Sequence, residues 1–290
     1  MKEAILYQKM DSDGVRCAAC NHRCIIASGS RGICSVRENI HGTLYSLNYG
    51  KTIAAHIDPI EKKPLYHFLP RTMIYSFAAV GCNLRCLWCQ NWEISQSPKP
   101  NKPIQGSDIS PEEHVKQAIA YECPSIAYTY SEPTIYVEYA LDTMKLARKK
   151  GLKNVWVTNG YMSQETLDTI IPYLDAANVD FKGPNDGVYE KYCGGKAEPV
   201  MENLKILHEA GVHLEVTTLL VPAVNDKLQQ LEQVATFIAE EISKDIPWHV
   251  SRFFPAWKMM DSPITPVKTL EMARTVGKNA GLKFVHVGNV

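Results

Sequence analysis

Short apolar runs alternate with helical segments along most of this chain, and this alternation constrains the fold more than any other feature of the sequence. From Met73 onward, runs rich in β-branched and aromatic residues recur at 73–80, 125–130, 154–159, 177–182, 213–221 and 249–254. Runs of this kind are typical of parallel strands that are buried on both faces. A further run, 283–288, is a candidate for one more strand.

Each run is followed by a segment with helical signals. Ser110, Pro111 and Glu113 form a capping box with proline at the first helical position. The predicted helices span 110–121, 134–150, 163–174, 199–210, 226–243 and 266–280. Successive strand–helix units imply right-handed crossovers, and six units fall short of the eight that close a full barrel. We therefore predict an α/β fold: a partial (β/α)6 TIM-like barrel over residues 71–290, with an N-terminal cysteine-rich cap module over residues 1–70.

Composition narrows the class of protein. The chain has 290 residues, of which 45% are hydrophobic and 21% charged, as is normal for a chain that folds around its own core. Its formal net charge is zero, so nothing favours broad electrostatic binding to nucleic acid or to an anionic membrane. The first residues lack the apolar run of a secretory signal, and no apolar stretch reaches about 18 residues. We therefore expect a cytoplasmic protein.

Nine cysteines are many for such a protein, and most of them are clustered. Because disulfides are rare in the cytosol, clustered cysteines there are more often metal ligands. Cys82, Cys86 and Cys89 follow the first predicted strand with C-x3-C-x2-C spacing. This spacing suits buried thiols on one helix face, a zinc site completed by a distant residue such as His67, or an iron–sulfur cluster. A cubane has four irons, so three thiolates leave one iron open to a ligand.

A second group of cysteines has C-x2-C-x3-C-x9-C spacing and consists of Cys17, Cys20, Cys24 and Cys34. Four thiolates suit either a closed zinc site or a second iron–sulfur cluster, and His22 is a spare ligand. The alternative is a set of reduced thiols without metal. The group is therefore a candidate second metal site, with zinc and iron–sulfur both open. Cys123 and Cys193 are interpreted as ordinary thiols.

The segment GCNLRCLWCQN (81–91) resembles the cluster-binding motif of radical S-adenosylmethionine (SAM) enzymes. Further segments resemble the radical SAM enzyme of the AmmeMemoRadiSam system, which is related to pyruvate formate-lyase (glycyl-radical) activating enzymes: CAACNHRC (17–24), DPIEKKPLYHF (58–68), AYTYSEPTIYVEY (127–139) and VDFKG (179–183). The resemblance implies a [4Fe-4S] cluster on the three cysteines, and SAM cleaved reductively to a 5′-deoxyadenosyl radical that abstracts hydrogen. It also implies a flavodoxin- or ferredoxin-type electron donor and companion Memo-like and Ammecr-like proteins.

Polar residues at the strand ends are the next candidates, because chemistry in α/β barrels collects at the carboxyl ends of the strands. By the resemblance, the residues that bind SAM are Trp88, Tyr130, Ser131, Glu132, Asn159, Asp180, Lys182 and Thr217. Tyr130 and Ser131 stand where the family often has two glycines. Glu215, on the fifth strand, is a looser candidate.

Several of these positions also have a purely structural explanation. Ser131 suits a helix cap, and the Glu132 carboxylate is favoured by the dipole of the helix that follows. Asn159 precedes a glycine and suits a turn. Asp180 and Lys182 point to the same side of a strand and suit a structural ion pair.

Three kinds of function remain open from the sequence. The first is a radical enzyme that acts on a protein or peptide, as in glycyl-radical activation; SAM then supplies the reactive carbon, so no catalytic side chain is named. The second is radical modification of a nucleic acid or small molecule, although the zero net charge argues mildly against nucleic acid. The third is a zinc-stabilised scaffold without chemistry, in which both cysteine groups bind zinc and SAM does not bind.

Overall fold

Strands form the framework of the molecule, for which a computed structural model describes residues 1–99 and 102–290. In chain order the strands are β1 (Lys2–Glu3), β2 (Tyr7–Lys9), β3 (Val15–Cys17), β4 (Ile25–Ile26), β5 (Arg37–Ile40), β6 (Thr43–Ser46), β7 (Lys51–Thr52), β8 (Ala54–Pro59), β9 (Met73–Ala78), β10 (Ser107–Asp108), β11 (Ser125–Tyr128), β12 (Lys153–Thr158), β13 (Ala176–Asp180), β14 (His213–Leu220), β15 (Trp248–Arg252) and β16 (Val285–Gly288).

One eight-stranded sheet has the order β16-β15-β14-β13-β12-β11-β9-β8. The strands from β9 to β16 in this sheet pair in parallel with their neighbours, and β8 pairs with β9 in antiparallel fashion. Within the described residues, the two outer strands, β8 and β16, are not paired with each other, so the sheet is open. The prediction of a partial barrel is confirmed, and all seven predicted strands are present.

Helices cover the sheet between successive strands. They are α1 (Trp92–Ser95), α2 (Pro111–Ala120), α3 (Val137–Lys149), α4 (Gln164–Ile170), α5 (Asp186–Val188), α6 (Glu198–Glu209), α7 (Leu228–Thr236) and α8 (Val267–Asn279). Short 3-10 turns occur at Ile60–Lys62, Pro133–Tyr136 and Ile171–Tyr173, and π-helical turns at Tyr189–Cys193 and Phe237–Ile242.

The helix cap that the sequence predicts at Ser110 is present. The Ser110 side chain accepts a hydrogen bond from the backbone N–H of Glu113, which caps α2. None of the helices in the described ranges is both long enough and apolar enough to cross a bilayer.

The segment between β8 and β9 closes the end of the barrel at which the strands begin. A cluster of apolar residues fills this end and consists of Ile60, Leu65, Ile74, Ala127, Val155 and Ala176. Two of them, Ile60 and Leu65, lie N-terminal to the boundary that the sequence predicts at residue 70. β8 and the segment after it are packed into the barrel. The domain boundary at residue 70 stays a prediction.

The N-terminal module has two three-stranded sheets, β1-β6-β5 and β2-β3-β4, and a small core of its own. A buried ion pair joins this module to the barrel. The Arg37 guanidinium donates to both carboxylate oxygens of Glu138 on α3, at 3.0 and 2.6 Å. Both side chains are almost inaccessible, at 2% and 0% exposure. The same carboxylate also accepts from the backbone N–H of Ile5.

We expect Glu138→Ala to lower the free energy of unfolding by about 3–5 kcal/mol, because it leaves the Arg37 charge buried without its partner. Urea unfolding followed by circular dichroism under anaerobic conditions measures this change. The matched control is Glu241→Ala, which removes an exposed pair with Lys205 and is expected to cost less than about 1 kcal/mol. Equal effects of the two substitutions would contradict the assignment of Arg37–Glu138 as the junction of module and barrel.

Candidate functional site

The loop after β9 carries Cys82, Cys86 and Cys89, and its backbone is held by the π-helical turn Tyr189–Cys193. The N–H of Arg85 donates to the carbonyl of Cys193 at 2.7 Å, and the N–H of Leu87 donates to the carbonyl of Tyr192 at 2.9 Å. These two bonds lie on either side of Cys86. π-helical turns are frequent at functional sites. Here the carbonyl groups of this turn hold the cysteine loop in place.

The thiols of the triplet lie among hydrogen-bond donors. Asn159 donates its side-chain N–H to Cys82 Sγ at 3.7 Å, and the backbone N–H of Leu84 donates to the same sulfur at 3.4 Å. Cys89 Sγ lies 3.2 Å from the hydroxyl oxygen of Ser95. Donors that face cysteine sulfur stabilise its thiolate form and tune the potential of a cluster bound there.

Cys193 lies beside Cys86, which the sequence did not indicate. A hydrogen bond from the Cys193 thiol lowers the pKa of Cys86, and Lys182 also lowers it, whereas burial opposes both. Cys193 is fully buried. Its place next to the triplet comes from the pairing of two loops that are about 100 residues apart in sequence, so no local pattern reveals it.

A cavity of about 340 Å³ opens at the carboxyl ends of the barrel strands, within the range of about 300–1,000 Å³ that is usual for ligand pockets. Apart from the looser candidate Glu215, the residues predicted for the cluster and SAM line it: Cys82, Cys86, Trp88, Cys89, Tyr130, Ser131, Glu132, Asn159, Asp180, Lys182 and Thr217. The residues predicted from the sequence to bind the cluster and SAM therefore lie together at one place in the structure.

Glu132 ties the ends of β11 and β12 together. Its carboxylate accepts hydrogen bonds from the backbone N–H and the hydroxyl of Thr134, from the Thr158 hydroxyl at 2.8 Å and from the Asn159 N–H at 2.8 Å. Burial raises its pKa, and these hydrogen bonds oppose the rise. Glu132 thus joins the ends of two strands and also lines the cavity.

Asp180 and Lys182 form the ion pair that strand alternation suggests, with 2.6 Å between Asp180 Oδ2 and Lys182 Nζ. The Lys182 ammonium is buried, and Asp180 is 42% exposed. Asp180 Oδ1 is inaccessible and has no hydrogen-bond partner within the part of the chain that the structure describes. Asp180 lines the cavity, and its partly exposed carboxylate suits a ligand that carries an N–H or O–H group.

Sequence reasoning gave no role to Lys63, which lies on the floor of the cavity. Its ammonium donates to Asp58 Oδ2 at 2.7 Å and lies 4.3 Å from the centre of the Tyr130 ring. The Tyr130 hydroxyl donates to the same Asp58 oxygen at 2.5 Å. Burial lowers the pKa of Lys63, although the Asp58 carboxylate opposes this shift. The sequence signal for a role of Lys63 is the DPIEKKP segment (58–64). Its two adjacent lysines lie between Ile60 and Leu65, which belong to the apolar cluster at the closed end of the barrel.

Two candidates lie at the other end of the barrel. Glu215, near the start of β14, accepts from His213 and His249 and from the backbone N–H of His67. The Nε2 atom of His67 lies 2.9 Å from that of His286. Neither Glu215 nor His67 lines the cavity. The structure thus places the looser candidate Glu215 apart from the other predicted SAM residues, and His67 apart from the triplet.

The triplet residues fit an iron–sulfur cluster by their chemistry. Within residues 1–99 and 102–290, no three His, Cys, Asp or Glu side chains converge as the ligands of a single metal ion. The thiolates of a cubane bind different irons, so they need to surround a volume and not a point. Cys82, Cys86 and Cys89 all line the cavity, and Asp180 lines it as well.

The four N-terminal cysteines line a second, smaller cavity. All nine cysteines of the described residues are free thiols. The two cavities share no lining residue, but Cys82 of the first is adjacent in sequence to Asn83 of the second.

Residues 78–238 match the family model described as the radical SAM superfamily. The whole chain is 48% identical, over 86% of that protein's length, to an uncharacterized protein of Methanocaldococcus jannaschii. It is also 23% identical to the pyruvate formate-lyase-activating enzyme of Clostridium pasteurianum, over 54% of this chain and 66% of that protein.

A radical SAM methyltransferase from Sphaerobacter thermophilus is similar in structure, with a TM-score of 0.58 at 14% identity over 76% of this chain and 67% of that chain. This likeness supports the fold alone. The family model covers more than half of the chain and includes all three cysteines of the triplet. The family implies a [4Fe-4S] cluster and SAM, and its members are enzymes. This chain therefore belongs to the radical SAM superfamily.

Proposed function

We propose that this protein uses a [4Fe-4S] cluster to cleave SAM reductively to a 5′-deoxyadenosyl radical, which abstracts a hydrogen atom from a protein or peptide. The observation that carries the proposal is the single cavity lined by the three cysteines of the triplet and by eight of the residues predicted to bind SAM. A scaffold without chemistry would not need an orphaned acceptor, a buried lysine and three thiols on the wall of one pocket.

The chain's own residues would hold the cofactors and exclude water. Cys82, Cys86 and Cys89 would bind three irons of the cluster. Trp88, which is buried against Tyr192, would form the wall next to the adenine. When bound, the cluster and SAM together supply an electron and a carbon-centred radical.

The polar residues of the cavity would orient SAM. The partly exposed Asp180 carboxylate would accept hydrogen bonds from its amino or ribose groups. The Lys182 ammonium, buried near Cys86, would offset the negative charge of the ligated cluster. Asn159, held by Glu132 through its backbone, would keep its amide on Cys82.

Two observations favour a protein or peptide as the substrate. The sheet of the described residues is open between its outer strands, so the barrel has a side through which an extended chain can approach the cavity. The relative from Clostridium pasteurianum is named as an activating enzyme, and its printed name gives pyruvate formate-lyase as the protein that it activates. A nucleic acid or small molecule as substrate is the alternative.

The partners follow from the same proposal. A flavodoxin- or ferredoxin-type protein would donate the electron. The segments 17–24, 58–68, 127–139 and 179–183 support membership in the AmmeMemoRadiSam system, in which Memo-like and Ammecr-like proteins would accompany this chain in the cytoplasm.

We expect the anaerobically reconstituted protein to form 5′-deoxyadenosine from SAM in the presence of dithionite, and Cys86→Ala to form none above background, because it removes one of three thiolates. Liquid chromatography with mass detection measures the product. The control is Cys123→Ala, which removes a buried cysteine outside the cavity and should keep the activity. Intact SAM with the wild type, in a protein that holds only zinc, would leave the scaffold without chemistry as the better explanation.

Asp180→Asn is expected to weaken SAM binding about 10-fold or more, because a hydrogen bond to a charged acceptor contributes about 1.5–3 kcal/mol. Equilibrium dialysis with the reconstituted protein measures the affinity. Asp168→Asn, on the exposed face of α4, is the matched control and should bind SAM like the wild type. If Asp180→Asn lowers only the stability and leaves SAM affinity unchanged, the residue is merely half of an ion pair.

The substrate class is tested by hydrogen transfer. Extract from cells grown in deuterated medium is separated by filtration into large and small molecules, and each fraction is added to the reaction. We expect deuterium in 5′-deoxyadenosine with the large-molecule fraction alone, and its loss after protease but not after nuclease treatment. Deuterium from the filtrate, or its loss after nuclease treatment, would refute a protein or peptide substrate.

A further inference from the structure

Four cysteines from one strand and two loops meet in the N-terminal module. Cys17 ends β3, Cys20 and Cys24 lie in the turn before β4, and Cys34 lies in the loop before β5. The backbone N–H of Cys17 donates to the carbonyl of Cys24 at 2.9 Å, which closes the turn. All four thiols line one small cavity that is separate from the SAM cavity.

Two buried donors on the wall of this cavity have no acceptor in the described part of the chain. They are the Nε–H of Arg37 and the side-chain amide of Asn83. The two residues are 2% and 1% exposed. The other two guanidinium nitrogens of Arg37 donate to Glu138, and the side-chain oxygen of Asn83 accepts from Asn159. Buried donors are almost always paired in folded proteins, so this pair indicates an absent acceptor.

Neutral thiols are poor acceptors, whereas metal-bound thiolates and inorganic sulfide are good ones. We propose that Cys17, Cys20, Cys24 and Cys34 bind a second, four-thiolate metal centre whose sulfur atoms accept from Arg37 and Asn83. The thiols release their protons as they bind the metal. Within residues 1–99 and 102–290 these side chains do not converge on a single metal ion, whereas the thiolates of a cluster bind different irons, so the centre that fits them is an iron–sulfur cluster.

The second centre adjoins the loop that carries the triplet. His22, between two of its cysteines, lies 2.7 Å from the carbonyl oxygen of Asn83. Asn83 directly follows Cys82, and Arg85 donates to Gln96 and to the carbonyl of Ile33. The centre would therefore fix the N-terminal side of the triplet loop. This inference does not depend on the reaction proposed above, since a structural metal can be present whether or not SAM is cleaved.

The test uses the full chain with Cys82, Cys86 and Cys89 all changed to Ala, so that the triplet contributes no metal. This triplet-free protein is purified without oxygen, and zinc, iron and sulfide per folded chain are measured with the visible absorption spectrum. We expect iron and sulfide in equal amounts with a brown colour. Adding Cys17→Ser and Cys20→Ser should remove at least nine-tenths of the metal, whereas adding Cys123→Ser should remove none.

Iron and sulfide with this dependence support the proposal. A triplet-free protein that is folded by circular dichroism but retains no metal, or only zinc, would overturn it. So would metal that survives the substitution of Cys17 and Cys20. If the protein with five substitutions does not fold, the triplet-free protein with Cys17→Ser alone takes its place.

Discussion

The geometry of the site depends on the buried carboxylate of Glu132. It joins the ends of two neighbouring strands by accepting from Thr158 and from the backbone of Asn159. Asn159 in turn donates to the Asn83 side chain at 2.7 Å, and the Asn83 carbonyl lies at the same distance from His22. One chain of hydrogen bonds thus runs from the barrel through the cysteine loop to the N-terminal module. Such networks are satisfied in only one arrangement, and so they specify it.

Much of the fold and the site was accessible from the sequence, for a physical reason. Strands buried on both faces must be apolar throughout, so they stand out as runs, and polar residues at their carboxyl ends meet at one edge. This is why residues from Trp88 to Thr217 were found to line one cavity. The sequence did not indicate that Lys63 and Cys193 belong to the site, because their positions depend on contacts between distant segments. Glu215 was misplaced because alternation gives the face of a strand but not the height along it.

The Tyr130-Ser131 pair replaces the two glycines that are common in the family, and the structure accommodates the change. Tyr130 adopts a positive φ of 62°, which is unfavourable for a residue with a side chain. Its hydroxyl donates to Asp58, and its carbonyl accepts from Asn91 at 2.7 Å. The ring also covers the Lys63 ammonium. The conformation that glycine adopts freely is here maintained by contacts of the Tyr130 hydroxyl, ring and backbone carbonyl.

Two main-chain hydrogen bonds attach the cysteine loop to the π-helical turn, from the N–H groups of Arg85 and Leu87 to the carbonyls of Cys193 and Tyr192. Side-chain identity at these four positions does not determine these two bonds. Insertion or deletion of one residue in either segment, by contrast, moves each donor away from its acceptor. Divergent descendants of this sequence can thus keep this main-chain attachment while side chains change, provided that they preserve the length of both segments.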